Sequence, residues 1–192
     1  MSGLGYTVFD TAVGRCGIAW GELGVLGVQL PEAREIETRR RLFQLFPDAR
    51  ELRPPAEIQS AIDGIAALLR GKVADLTGVG LDMTGIPQFN ARVYDFTRSI
   101  PRGETMTYGE VASRLKASGA SHSVAQAIAK NPFMIIVPCH RVLEAGGYAD
   151  RISAYGGSIS KRRLLSIEGA GSASSKTLFE VLLPVAPPRP QG

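Results

Sequence analysis

The 192-residue chain is short of several things at once, and each shortage excludes a class of protein. No uninterrupted apolar run approaches the ~20 residues needed to cross a bilayer, and Met1-Ser2-Gly3-Leu4-Gly5-Tyr6 lacks the basic and apolar regions of a secretion signal. A cytoplasmic location, or a nuclear one in a nucleated cell, is therefore expected, with no membrane partner. Cysteine and histidine number only two each, Cys16, Cys139, His122 and His140. A four-ligand zinc site would use all of them, so no metal is expected. A reducing compartment also argues against a Cys16–Cys139 disulfide, and Cys16 reads as structural. Charge excess is small: the net value is +4 with a pI near 9.3, which suits a polyanionic partner but is shared by many proteins without one.

Hydrophobic residues make up 44% of the chain, enough for one large domain or two small ones. Apolar runs punctuated by glycine over residues 6–30 predict two or three antiparallel strands. A charged helix is expected between Pro31 and Pro47, with Ile36, Leu42, Phe43 and Phe46 as its apolar side. Its Arg39-Arg40-Arg41 run reads as a solvated face or as a nucleic-acid contact. A second helix should span about 56–70, with Ile58, Ile62, Ile65, Leu68 and Leu69 at helical spacing. Leu76–Leu81 resembles another strand. Residues 1–83 thus form an α/β N-terminal domain, a small antiparallel sheet plus helices.

From residue 84 the pattern becomes helical. Phe89, Val93, Phe96 and Ile100 make a core-facing stripe. Thr107-Tyr108-Gly109-Glu110 has the form of a capping box, which starts a helix near Tyr108 and carries it to about Lys116. A turn at Ser118-Gly119-Ala120 follows, then a helix capped by Ser121 and reaching Lys130. Two short helices around a glycine turn predict a helix-turn-helix. Ala125, Ala127 and Ala129 keep the second helix narrow, for a phosphate backbone or for another helix. Residues 84–170 read as a mostly helical C-terminal domain, and 171–192 as an extension. In that extension Leu178–Pro184 is apolar enough to pack as a strand or mediate association.

The chemistry concentrates at Ile135-Ile136-Val137-Pro138-Cys139-His140-Arg141. Three β-branched residues predict a short buried strand, and Pro138 ends it. Cys139 then sits in a turn at the edge of the core with an imidazole and a guanidinium behind it. Such neighbours raise the thiolate fraction, and the thiolate is the nucleophile.

Pro138-Cys139-His140-Arg141-Val142, preceded by Asn131-Pro132 and followed by Gly146-Gly147, resembles the active-site signature of the O6-alkylguanine-DNA alkyltransferases, or methylated-DNA–protein-cysteine methyltransferases. The likeness covers about residues 84–169. It implies a cofactor-free, single-turnover displacement in which Cys139 takes the alkyl group from O6 of guanine in double-stranded DNA and keeps it as a thioether. By this resemblance His140 is the base, acting through a water, and Glu168 orients it; the alternative for Glu168 is a surface glutamate at a helix end, with Gly169 as the C-cap. Asn131 braces the turn, and Tyr108 crowds the target's 3′ phosphate and donates to the departing guanine. Tyr155, with Tyr148 as the alternative, walls the base in a loop that includes Gly156 and Gly157. Ser121 and Ala125 lie on the helix that docks in the minor groove. Arg141 contacts DNA or forms an ion pair in the core. Lys161-Arg162-Arg163 contact phosphates or face solvent. The family's N-terminal domain is a scaffold remote from the chemistry, and a monomer is expected.

Two departures qualify the resemblance. Where the family inserts an arginine into the duplex, this chain has His122, shorter and only partly charged near neutrality. Glu168 also lies about two residues farther from Cys139 than expected. They keep open a cysteine acceptor or sensor for single strands or small alkylating compounds, and a lesion binder that transfers nothing.

Overall fold

The computed structural model describes residues 3–146, 155–157 and 159–170. A four-stranded sheet in the order β3-β2-β1-β4 forms the first half, from β1 (Gly5–Thr11), β2 (Gly14–Gly21), β3 (Gly24–Gln29) and β4 (Arg50–Glu51). The first three pair antiparallel, as expected, but β4 runs parallel to β1, so the sheet is mixed. Gly14 at φ 126 and Gly24 at φ 128 turn the two hairpins in a conformation closed to most side chains. The strand expected over Leu76–Leu81 is absent: Val79 N donates to Leu76 O at 3.2 Å and folds the segment into a turn, leaving a single parallel bridge from Leu81 to Val25.

Helix α1 (Glu35–Leu45) and helix α2 (Ala56–Leu69) fall where the sequence places them. Ile58, Ile62, Ile65 and Leu69 of α2 are buried, but α1 buries only Leu42 of its apolar series. Ile36 and Phe43 are 59% and 63% exposed, because α1 packs across β2 and β3 by one narrow stripe. Arg39 is committed to Glu35 and Glu51 at 2.9 Å each.

The second half contributes α3 (Gln88–Arg98), β5 (Met106–Thr107), α4 (Tyr108–Arg114), α5 (Ser121–Ala129), β6 (Val142–Leu143) and α6 (Lys161–Glu168). The capping box forms: Thr107 Oγ1 accepts from Glu110 N at 3.2 Å, and Glu110 Oε2 accepts from Thr107 N at 2.6 Å. Ala120, not Ser121, is the N-cap of α5, so Ser121 is the first helical residue.

The sheet edge joins the halves. Among the described residues outer-edge β3 pairs with no further strand; instead Val25 N donates to Gly80 O, Val28 N to Pro132 O, and Leu30 N, just past the strand, to Tyr155 O. Those bonds cover an edge that would otherwise be open to pairing. One buried cluster runs from Ile18, Val28 and Leu30 to Val111, Val137 and Leu164. Among the described residues no helix is long and apolar enough to cross a membrane.

Candidate active site

Asn131 organises the segment before the cysteine. It is fully buried; its Oδ1 accepts from Phe133 N at 2.9 Å and its Nδ2 donates to Val137 O at 3.2 Å. Across that brace Val137 N donates to Phe133 O at 2.8 Å, closing a tight turn. The strand expected at Ile135-Ile136-Val137 is therefore a turn, with isolated bridges at Val28–Phe133 and Met134–Val137. Ile135 closes it at φ 71, a left-handed conformation costing a β-branched residue about 1–3 kcal/mol. The three apolar side chains are buried, as expected, because the turn lies inside the core rather than on a sheet.

Cys139 opens a single 3₁₀ turn, Cys139–Arg141, after Pro138. Its position differs from the expected rim: the residue has no exposed surface, and its Sγ lies 3.7 Å from Met134 Sδ. His140, 2% exposed, is also inside. Its Nε2 lies 2.7 Å from Glu168 Oε1, while Nδ1 is buried with no hydrogen-bond partner among the described residues. Arg141 grips the same carboxylate twice, Nε to Oε2 at 3.0 Å and Nη2 to Oε1 at 2.7 Å, and donates to Ile100 O at 2.6 Å. The ion-pair alternative for Arg141 is thus the one the fold realises.

Burial opposes ionisation of Glu168, but the hydrogen bonds from His140 and Arg141 prevail and hold its carboxyl at about 2. Burial pushes His140 the other way, below its ordinary value, against the pull of Glu168 and with help from Arg141 and Lys161. The consistent state is a neutral imidazole whose Nε2–H donates to a carboxylate, leaving the Nδ1 lone pair to accept a proton.

Glu168 is the last residue of α6, and Gly169 follows in the left-handed cap at φ 79. Glu168 thus ends a helix capped by Gly169, but its carboxylate lies inside against His140 and Arg141 rather than on the surface. Arg102 fixes this helix end from outside, donating to Gly71 O at 2.7 Å and to Ile167 O at 3.3 Å.

Lys161 was expected on a solvated or phosphate-facing helix surface, but it is 1% exposed. Its Nζ donates to Val142 O at 2.7 Å and to Tyr108 Oη at 3.2 Å, and lies 5.4 Å from the Tyr108 ring centre. Arg162 and Arg163 remain exposed. No local pattern separates Lys161 from its basic neighbours; only its helical phase with buried Leu164 hints that it faces inward.

Tyr155 is half-buried and its carbonyl is held by Leu30 N at 2.9 Å. Gly156 is buried, and Gly157 adopts φ 56, where a Cβ would collide with the Pro31 carbonyl. The segment just past β3 is therefore in contact with Tyr155 and Gly157. Tyr148, Gly147 and the extension over 171–192 lie outside the described residues. On α5, Ser121 and His122 are exposed, Ala125 is half-buried, and His122 Nε2 lies 3.0 Å from Gln126 Nε2. Sequence reasoning gave Met134 and Arg102 no role in the site and placed Lys161 at a phosphate or in solvent, away from the contacts it makes here.

Comparison with known proteins gives a consistent answer. Residues 88–170 match the model of the 6-O-methylguanine DNA methyltransferase DNA-binding domain. A methylated-DNA–protein-cysteine methyltransferase of Methanothermobacter thermautotrophicus is 36% identical over 154 residues, covering 80% of this chain and 78% of the relative. The crystal structure of the Mycobacterium tuberculosis O6-methylguanine methyltransferase superposes with a TM-score of 0.67 at 31% identity, covering 92% of this chain and 99% of that one. A Mycobacterium tuberculosis protein crystallised in complex with DNA superposes at 0.64 with 30% identity, over 85% and 91% of the two chains. With a thiol, an imidazole and a carboxylate ordered as that signature requires, and relatives matched over most of their length, the chain belongs to the methylated-DNA–protein-cysteine methyltransferase family.

Proposed function

We propose that this chain repairs DNA by moving an alkyl group, methyl in the simplest case, from O6 of guanine to Cys139, once per molecule. The observation that carries the reading is the His140–Glu168–Arg141 junction directly behind Cys139. The thiol proton passes through a bridging water to Nδ1 of neutral His140, and Glu168 stabilises the imidazolium that results. The Cys139 thiolate attacks the alkyl carbon, a C–S bond forms as the C–O6 bond breaks, and guanine leaves with the electron pair. Tyr108 donates its hydroxyl proton toward the departing base. The Lys161 ammonium, by donating to the Tyr108 oxygen, polarises that hydroxyl as a donor.

A base stacked in duplex DNA cannot reach a buried sulfur, so the nucleotide is flipped out at a cost of a few kcal/mol. In this reading α4 and α5 form a helix-turn-helix within a DNA-binding domain of residues 84–170, following the α/β domain of residues 1–83. Helix α5 enters the minor groove along Ser121 and Ala125, His122 fills the gap left by the base, and Tyr155 with Gly156 and Gly157 walls the pocket. The protein works as a cytoplasmic monomer.

Incubation with duplex DNA carrying O6-methylguanine, followed by intact mass measurement, tests this. A gain of one methyl group, absent in Cys139→Ser, is expected. Tight lesion binding without a mass gain would make the chain a lesion binder. Labelling only by single strands or small alkylating agents would make it a different acceptor.

A further inference from the structure

Two features beside the thiol, Met134 and the backbone of Ile135, play no part in that transfer scheme. Met134 is completely buried with its Sδ 3.7 Å from Cys139 Sγ, and the thiol is the donor. Its neighbour Ile135 holds the left-handed conformation that closes the turn, so the position of Met134 is imposed by the backbone. His140 Nδ1, the atom that should receive the thiol proton, is buried with no partner among the described residues. The thiol of the nucleophile thus donates to a thioether.

We propose that Met134 is a positioning residue that keeps Cys139 on stand-by: its thioether accepts the thiol proton, and ionisation begins only when the thiol turns off Met134 toward His140. The inference rests on the alkyl-transfer reading and adds a regulation of the same site. A hydrogen bond donated by the neutral thiol favours the neutral form over the thiolate. The contact pairs a weak donor with a weak acceptor, so it biases the thiol without locking it. Three neighbouring ionisable side chains have bonds of their own. His140 and Arg141 hold Glu168, and the Tyr94 hydroxyl donates to Ala127 O at 2.8 Å. A thiol kept protonated in the resting protein is protected from stray alkylation, which matters for a molecule that can react only once.

Met134→Leu keeps the apolar volume and removes the acceptor. Two readouts are compared with wild type: the ultraviolet thiolate absorbance of the DNA-free protein at neutral pH, with Cys139→Ser as blank, and the single-turnover rate of methyl transfer at saturating O6-methylguanine duplex. Both are expected to rise about two- to five-fold, the size of one weak hydrogen bond, with the Kd for DNA unchanged. Replacement of the methionines by norleucine removes the same sulfur in its native shape and should act alike if the leucine variant folds poorly. Unchanged thiolate absorbance in well-folded leucine or norleucine protein would overturn the proposal. Absence of transfer from the wild-type duplex reaction would instead defeat the alkyl-transfer reading, and the absorbance would still decide the Met134 contact.

Discussion

Glu168 is the residue on which the site's charges converge. It receives one hydrogen bond from His140 and two from Arg141, and its side chain is only 7% exposed. Replacing it by glutamine keeps the shape but leaves the Arg141 guanidinium without a counter-charge in the interior. That change is expected to slow methyl transfer by about 10²–10⁴-fold, as for loss of general-base support. It should also lower stability by about 3–5 kcal/mol, as for one partner removed from a buried pair. Single-turnover kinetics and urea unfolding check the two parts; an intact rate would remove Glu168 from the relay. Cys139, His140 and Asn131 could be singled out in the sequence because a short motif around Pro138 brings them together. Lys161 could not. Its environment is made by Tyr108, 53 positions earlier, and by the carbonyl of Val142, contacts that no window of sequence contains.

At the scale of elements, the capping box of α4 and the glycine cap of α6 were readable because each is closed by residues three or four apart. The supposed strand at Ile135-Ile136-Val137 failed for the opposite reason. β-branched residues favour strands only when a partner strand is available, and here Asn131 satisfies the backbone of a turn instead. The end of α6 is also held from afar, since Arg102 ties the carbonyl of Ile167 to that of Gly71. Arg102→Ala is expected to loosen the helix end that carries Glu168 and so to reduce the transfer rate by roughly ten-fold, the scale of one lost charge-assisted hydrogen bond. DNA affinity should stay unchanged, a split visible in rate against Kd. A second element-level expectation concerns Gly157. Its φ of 56 and the adjacent Pro31 carbonyl leave no room for a side chain. Gly157→Val should therefore detach the Tyr155 loop from the sheet edge, which slowed exchange of the Leu30 amide in wild type and fast exchange in the variant would reveal.

For the whole molecule, the division at residue 83 hides a shared structure. The hydrophobic cluster crosses it, and β3 hydrogen-bonds both to Pro132 before the cysteine and, just beyond its end, to Tyr155 after it. Residues 84–170 expressed alone are expected to lack a cooperative thermal transition, because the fragment would expose the apolar surface that Val28 and Leu30 cover; a sharp two-state melt would contradict this. Acid should weaken the intact protein in two steps. In the fold His140 is neutral because burial disfavours its cation, whereas the unfolded chain protonates it near about 6.5. The unfolded state therefore binds more protons below that pH, and stability falls as the pH drops through it. Glu168, at about 2 when folded and about 4.3 when unfolded, adds stability that is present above about 4.3 and lost as the pH falls toward 2. Urea midpoints across this range should decline in that order, with His140→Gln flattening the upper step.

The central claim is that Cys139, buried as it is, accepts the alkyl group because His140 and Glu168 stand behind it. Peptide mass mapping after reaction with an O6-methylguanine duplex addresses it directly, because the chain's other thiol, Cys16, is buried and pushed up to about 12 and so serves as an internal control. One methyl group on the Cys139 peptide and none on the Cys16 peptide is the expected result. Methyl on Cys16, or on neither peptide while the duplex is retained, would contradict it.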